Sequence, residues 1–139
     1  MGTNDYKLLN FKLIDEVDIG SVIYRLYDRN IFHAIIKKGE KVTMDMAFKG
    51  VEFVQKNGGG KYYNIYEFDS FSEMESELRD WASQTNDVSY TIVDAIVISS
   101  FAQKLIANFY IKYNKPPRPT RVFTSTDKAV EWITYIMQK

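Results

Sequence analysis

The sequence has no cysteine, a single histidine and no net charge, and each scarcity removes a class of function. Without cysteine there is no disulfide framework, no thiolate nucleophile and no cysteine-bearing metal site. That usage fits an intracellular protein, and the cytoplasm is the expected address. One histidine, His33, cannot build a multi-histidine metal site, and in a strand it is expected to be packed or solvated rather than catalytic. Eighteen basic residues balance eighteen acidic ones, which removes the bulk attraction of a general nucleic-acid binder, so no nucleic-acid partner is expected. No apolar run reaches the ~20 residues of a membrane-spanning helix. The opening MGTNDYKLLN lacks the basic and apolar regions of a signal peptide. Repeats, low-complexity tracts and linkers are also missing, so residues 1–139 are expected to form one domain, with 1–20 as an N-terminal extension.

What is present is the makeup of a packed globule, 45% hydrophobic and 15% aromatic, in a chain long enough to bury roughly two thirds of its unfolded surface. Residues 6–14, YKLLNFKLI, are apolar enough for a strand, and the following DEVDIG is acidic and turn-like. Val22 to Tyr27 and Ile31 to Lys37 are β-rich runs around Asp28, Arg29 and Asn30, a pattern that predicts a hairpin. Thr43 is placed to cap a helix carrying Met44, Ala47, Phe48, Val51 and Val54, with Asp45 at the positive end of its dipole. The glycines of NGGG at 57–60 stop that helix. They follow a helix rather than a strand and lack a P-loop's lysine, so a phosphate loop is disfavoured. KYYNIYEF at 61–68 reads as a strand. Ser72 and Glu75 have the spacing of a capping box, which predicts a second helix from about Glu73 through Leu78 and Trp81. Residues 86–92 read as a loop or the ragged start of a strand.

The run from Ala95 to Ser125 is a strand, helix, proline corner and second strand. AIVIS has the composition of a strand covered on both faces. Ser99 and Ser100 offer oxygens to a helix that ends near Asn114, before Pro116 and Pro117 break it. Thr124, with Asp127 three residues on, is placed to cap the last helix. Alternating strands and helices predict an α/β mixed sheet of about five strands with about four helices, opening on an N-terminal hairpin.

LIANFYIKYNKPPRPTRVFT followed by AVEWI resembles the C-terminal signature of uncharacterised bacterial STAS-like domains, which share the anti-sigma-factor-antagonist fold. Asn108, Phe109, Pro117, Pro119, Thr120, Arg121, Phe123, Ala129, Glu131 and Trp132 carry the likeness, within a span of residues 22–138. It implies a single-domain STAS-like fold and a regulatory, non-catalytic role. The better-understood branch keeps a phosphorylatable serine in an Asp-Ser-Ser-Gly-like turn. The matching stretch here is FDSFSEME, in which Ser70 and Ser72 stand without the paired serines or the glycine.

Right-handed crossovers would align the strands' carboxyl ends on one edge, where open α/β sheets usually bind ligands. That edge would gather Glu67, Asp69, Ser70, Ser72, Ser99, Ser100, Thr124 and Ser125. The hydroxyls could cradle an anion or simply cap helices, and capping is favoured. Glu67 and Asp69 form an acid/base pair on paper, but no nucleophile accompanies them, so no catalytic residue, cofactor or metal is expected. Lys112, Lys115, Arg118 and Arg121, spaced by three, would align along an extended polyproline path as a basic edge or an anion site. On the helix 101–114, Phe101, Ala102, Leu105, Ile106, Phe109, Tyr110 and Tyr113 sweep a face wider than the ~100° stripe that seats a helix on a sheet. Ala107 and Ile111 add a second strip beside Lys104, and with Tyr110 they are the candidate interface, most simply of a two-fold homodimer. Two functions compete: a regulatory module that contacts another protein or itself, and a carrier or sensor of a small apolar or lipid-like ligand. The first requires an exposed apolar patch and the second an apolar cavity of hundreds of Å³.

Overall fold

The computed structural model describes residues 8, 10–84 and 91–139. Its chain order is β1 (Leu13–Asp18), β2 (Val22–Tyr27), β3 (Ile31–Ile36), β4 (Lys41–Val42), α1 (Met44–Lys56), β5 (Tyr62–Phe68), β6 (Glu73–Met74), α2 (Ser76–Gln84), β7 (Thr91–Val97), α3 (Phe101–Phe109), β8 (Thr120–Phe123) and α4 (Thr126–Met137). Six strands form one mixed sheet in the order β1-β2-β3-β5-β7-β8, so the domain is α/β and opens on a hairpin. β1, β2 and β3 pair antiparallel, and β3, β5, β7 and β8 run parallel. β2 and β3 are buried along their whole length on both faces, which is why they read as continuous apolar runs. β1 instead alternates half-buried and exposed residues as an edge strand, so the acidic segment expected to turn is extended and pairs with β2. Residues 1–7, 9 and 85–90 lie outside the described residues, and with them Tyr6, Lys7 and Leu9 of the strand expected over 6–14 and positions 86–90 of the segment expected as a loop or ragged strand start.

The three crossovers from β3 to β8 all step the same way across the sheet. Right-handed connections therefore put α1, α2 and α3 on one face, and residues of all three line a common cavity there. α4 follows the last strand and packs on the opposite face, where Ala129 and Ile133 meet Ile31, Ile65 and Ala95, all fully buried.

Local chemistry explains most boundaries. Thr43 caps α1 through the Met46 N–H, Ser100 caps α3 through the Gln103 N–H, and Gly58, Gly59 and Gly60 take left-handed angles after α1. Two expected caps are corrected. Ser72 precedes the short strand β6 rather than a helix, and its hydroxyl donates to the Asp69 carbonyl at 2.6 Å, while α2 begins at Ser76. Residues Lys41–Val42 explain this, because they pair in parallel with Glu73–Met74 and hold that segment extended. The cap of α4 is Ser125, bonded by the Lys128 N–H, and not Thr124. α3 runs on as a π turn over Tyr110–Asn114 and stops at Lys115, whose φ is 49°.

Candidate functional site, an apolar cavity with a polar end

Every second residue of β5 and β7 faces the three-helix side, and cross-strand register brings them into rows. Phe32, Asn64, Asp94 and Thr120 are successive partners in one row, and Ala34, Tyr66, Ile96 and Val122 in the next. Between these rows and the helices lies a cavity of about 460 Å³. Phe32, Phe68, Leu78, Ile98 and Ala107 give it apolar walls. Phe48, Trp81 and Ile106 also line it and are exposed, so they mark its rim, where the Phe48 and Trp81 rings meet edge to face at 5.8 Å. Ile96, although on an interior strand, is only half-buried.

The polar end is built around Thr91, Asn64 and Asp94, from the amino-terminal end of β7 to its middle. Asp94 is 3% exposed, and Arg118 Nε donates to its Oδ2 at 2.6 Å, while Arg118 Nη1 donates to the Ala82 carbonyl at 3.0 Å. Asn64 Nδ2 donates towards Asp94 Oδ1, Thr91 Oγ1 and the Tyr66 hydroxyl at 3.1–3.2 Å. Burial pushes the Asp94 carboxyl above its ordinary value, with Arg118 and Asn64 pulling it back. Arg118, although burial works against it, is held above its ordinary value by the Asp94 charge. The pair is thus a buried ion pair with no net charge. Burial also raises Tyr66 well above the phenol range and Tyr110 to about 12, so both hydroxyls keep their protons. The cavity therefore combines an apolar body with a neutral polar end that carries the protonated Tyr66 and Tyr110 hydroxyls and the Asn64 amide.

A family description, Domain of unknown function (DUF7793), matches residues 24–137. The chain belongs to that family. No curated protein and no solved structure matches the chain. The matched span of this DUF7793 domain begins inside β2 and takes in all three helices that cover the cavity.

Of the residues singled out from sequence, the DUF7793 fold brings Ser72, Ser99 and Ser100 close to one another but commits them to structure. Gln103 Nε2 donates to the carbonyls of Asp69 and Ser72 at 2.8 and 2.9 Å, and its Oε1 accepts from the Ser99 N–H at 2.7 Å. Ser99 Oγ donates to the Phe68 carbonyl, and the Ser70 carbonyl accepts from the Gly39 N–H. Thr124 is exposed, and its neighbour Thr126 donates to Glu67. The carboxyl edge is thus latched internally, and the polar cluster sits further back along the strands, around Asn64 and Asp94.

The basic stripe does not form. Lys112 lies in the π turn, Arg118 turns inward to Asp94, and Arg121 stacks on Phe123 and Trp132. The face assigned to α3 is inverted: Gln103, Ala107 and Tyr110 are buried, while Phe101, Leu105 and Phe109 are exposed. Ala107 and Tyr110 therefore line the cavity rather than an interface, Ile111 is half-buried and Lys104 is exposed. The physical reason is that Gln103 finds three backbone partners against the sheet, and the small Ala107 lets the helix approach.

Sequence reasoning missed Asn64 and Asp94. The signal was there: a carboxylate in TIVDAIVIS is buried only with a partner, and Arg118 was the candidate to supply it. On the opposite face His33 is fully buried, with Nε2 2.9 Å from Glu67 Oε1, the packed role expected of it.

Proposed function

We propose that this domain is a non-catalytic binding module for a small amphipathic molecule whose apolar body fills the cavity and whose uncharged polar end meets Tyr66, Tyr110 and Asn64. The cavity carries the reading. It has apolar walls and opens to solvent at Phe48, Trp81 and Ile106, so while it is empty of ligand it holds apolar surface against water that a bound apolar body would cover. It falls in the range of roughly 300–1,000 Å³ typical of small-molecule sites, and is about three times a void that holds benzene. The head group is uncharged because Asp94 and Arg118 already neutralise each other, and a ligand carboxylate would leave one buried negative charge in excess. A long-chain alcohol or amide fits, and the matching acid fits less well.

The resemblance to STAS-like domains supports placing such binding in a regulatory setting. The exposed apolar residues of α3 favour a second role in contact with a partner surface.

The test is uptake of the neutral dye N-phenylnaphthylamine by wild type and by Ala107→Phe, which puts a ring into the cavity, followed by competition with a fatty alcohol and its acid. Saturable uptake that Ala107→Phe abolishes without lowering Tm, with the alcohol the better competitor, is expected. A wild type that takes up no dye and carries no small molecule in native mass spectrometry rules the reading out.

A further inference from the structure

We propose that the exposed face of α3 docks on an anionic membrane surface, from which the cavity draws its ligand. The direction of transfer rests on the ligand reading above; the docking itself does not.

Phe101, Leu105, Phe109 and Tyr113 are 72, 56, 58 and 61% exposed. They follow one another every fourth residue, and the rings of Phe109 and Tyr113 lie 4.3 Å apart. Phe71 is 79% exposed in a turn whose flanking residues, Asp69 and Ser72, are tied to Gln103 of α3. It therefore adds an aromatic near the first turns of the same helix, and it is held at a φ of 62°, a costly conformation for a bulky residue.

Charge decides between occupants. Residues 95–126 carry five basic side chains and no acidic one, in a chain of zero net charge. Lys104, Lys112, Lys115 and Arg121 are exposed, and among the described residues none is in an ion pair. Asp80 of α2, which accepts from Asn114 at 3.0 Å, sets one carboxylate against the four exposed cations of this segment. A two-fold pairing of α3 with a second copy would bring these lysines together with no carboxylate on the helix to meet them. Aromatic and aliphatic side chains flanked by lysine are instead what the headgroup and acyl boundary of an anionic bilayer accepts.

The face also leads to the cavity. Ile106, beside Leu105, is exposed and forms part of the rim. An apolar molecule leaving the bilayer there passes over apolar side chains rather than through bulk water.

Flotation with vesicles of phosphatidylcholine, with and without phosphatidylglycerol, tests the docking on wild type and two double variants of exposed residues. Wild type is expected to float with the anionic vesicles. Leu105→Ser with Phe109→Ser should weaken binding more than about tenfold, and Lys104→Gln with Lys112→Gln about thirtyfold, with unchanged circular dichroism. No binding by wild type overturns the proposal, as does binding that the serine variant retains. A wild-type dimer that the serine variant dissolves assigns the face to a second copy and overturns it too. Dye uptake without vesicles reads the cavity separately: uptake with no flotation sinks docking alone, whereas flotation without uptake upholds docking and sinks the ligand reading.

Discussion

The two faces of the sheet are built from the same strands and closed in opposite ways. Behind, one helix suffices: α4 sets Ala129 and Ile133 onto Ile31, Ile65 and Ala95 until none of the five is accessible. In front, three helices cover the strands yet leave 460 Å³ unfilled. β7 shows the difference residue by residue, since Val93, Ala95 and Val97 point to the tight face and Asp94 and Ile96 to the open one. Coverage and filling are therefore separate properties. On the open face Asp94 and Tyr66 stand on the strands, with Arg118 and Tyr110 set against them, where the tight face has Ala95 and Ile65 under α4.

The largest effect that would sharpen this contrast is expected at the polar end. Arg118→Ala leaves Asp94 buried without its cation and should cost about 3–5 kcal/mol by denaturant midpoint. The loss should grow with pH. Asp94 already titrates above its ordinary value in the folded state, and removing Arg118 raises it further. A raised folded pKa gives stability that is present below the unfolded pKa and lost as pH rises through the folded one. Replacing the pair together, Asp94→Asn with Arg118→Met, should recover most of the loss; no recovery would mean the pair supports more than itself.

Next come matched deletions on the two faces. Ile65→Ala, on the tight face, should cost about 4 kcal/mol, and Ile96→Ala, beside space that already exists, about 2 kcal/mol or less. Equal costs in urea unfolding would erase the distinction between the faces. Thr126→Val should then cost about 1 kcal/mol at neutral pH. Its hydroxyl donates to Glu67, which burial pushes up but the bonds from His33 and Thr126 bring below its ordinary 4.5. Because a lowered folded pKa gives stability lost as pH falls, the difference between variant and wild type should shrink in acid below that value. A loss of the same size, about 1 kcal/mol, is expected in Ser72→Ala, which removes the bond to the Asp69 carbonyl. Ser72→Gly should be worse; a helix cap would give the reverse order.

The fold was largely legible because periodicity and punctuation are local. Thr43, the 57–60 glycines, Ser100 and the 116–117 prolines end or begin elements where short-range chemistry says they should. One misreading was local, the cap of α4 falling on Ser125 rather than its neighbour Thr124, and the two larger ones depended on distant residues. Ser72 carries a capping-box spacing, yet Lys41–Val42, thirty-odd positions away, pair with its neighbours and keep them extended. α3 has its most hydrophobic stripe on Phe101, Leu105 and Phe109, and nothing within the helix reveals that Gln103 will find three backbone partners elsewhere. Half of the cavity's polar end was visible as charged or amide residues interrupting apolar strands, at Asn64 and Asp94. Its volume was not, since a void is a property of helices held apart and no residue encodes it alone.

The π turn at Tyr110–Asn114 gives the domain one place where chain length can change at small cost. A π turn holds one residue more than a regular helical turn, so deleting Ile111 would let the segment wind back into α form with the chain beyond it close to its present phase, whereas the same deletion within regular helix would turn everything beyond it by about 100°. Asn114 would stay near Asp80 and Arg118 near Asp94, and the adjustment would fall on the turn itself and on the packing of Tyr113 against Phe109. A single-codon deletion here would therefore reshape one end of the exposed aromatic row and spare the polar end of the cavity, while the same deletion at Ala107 would disturb both.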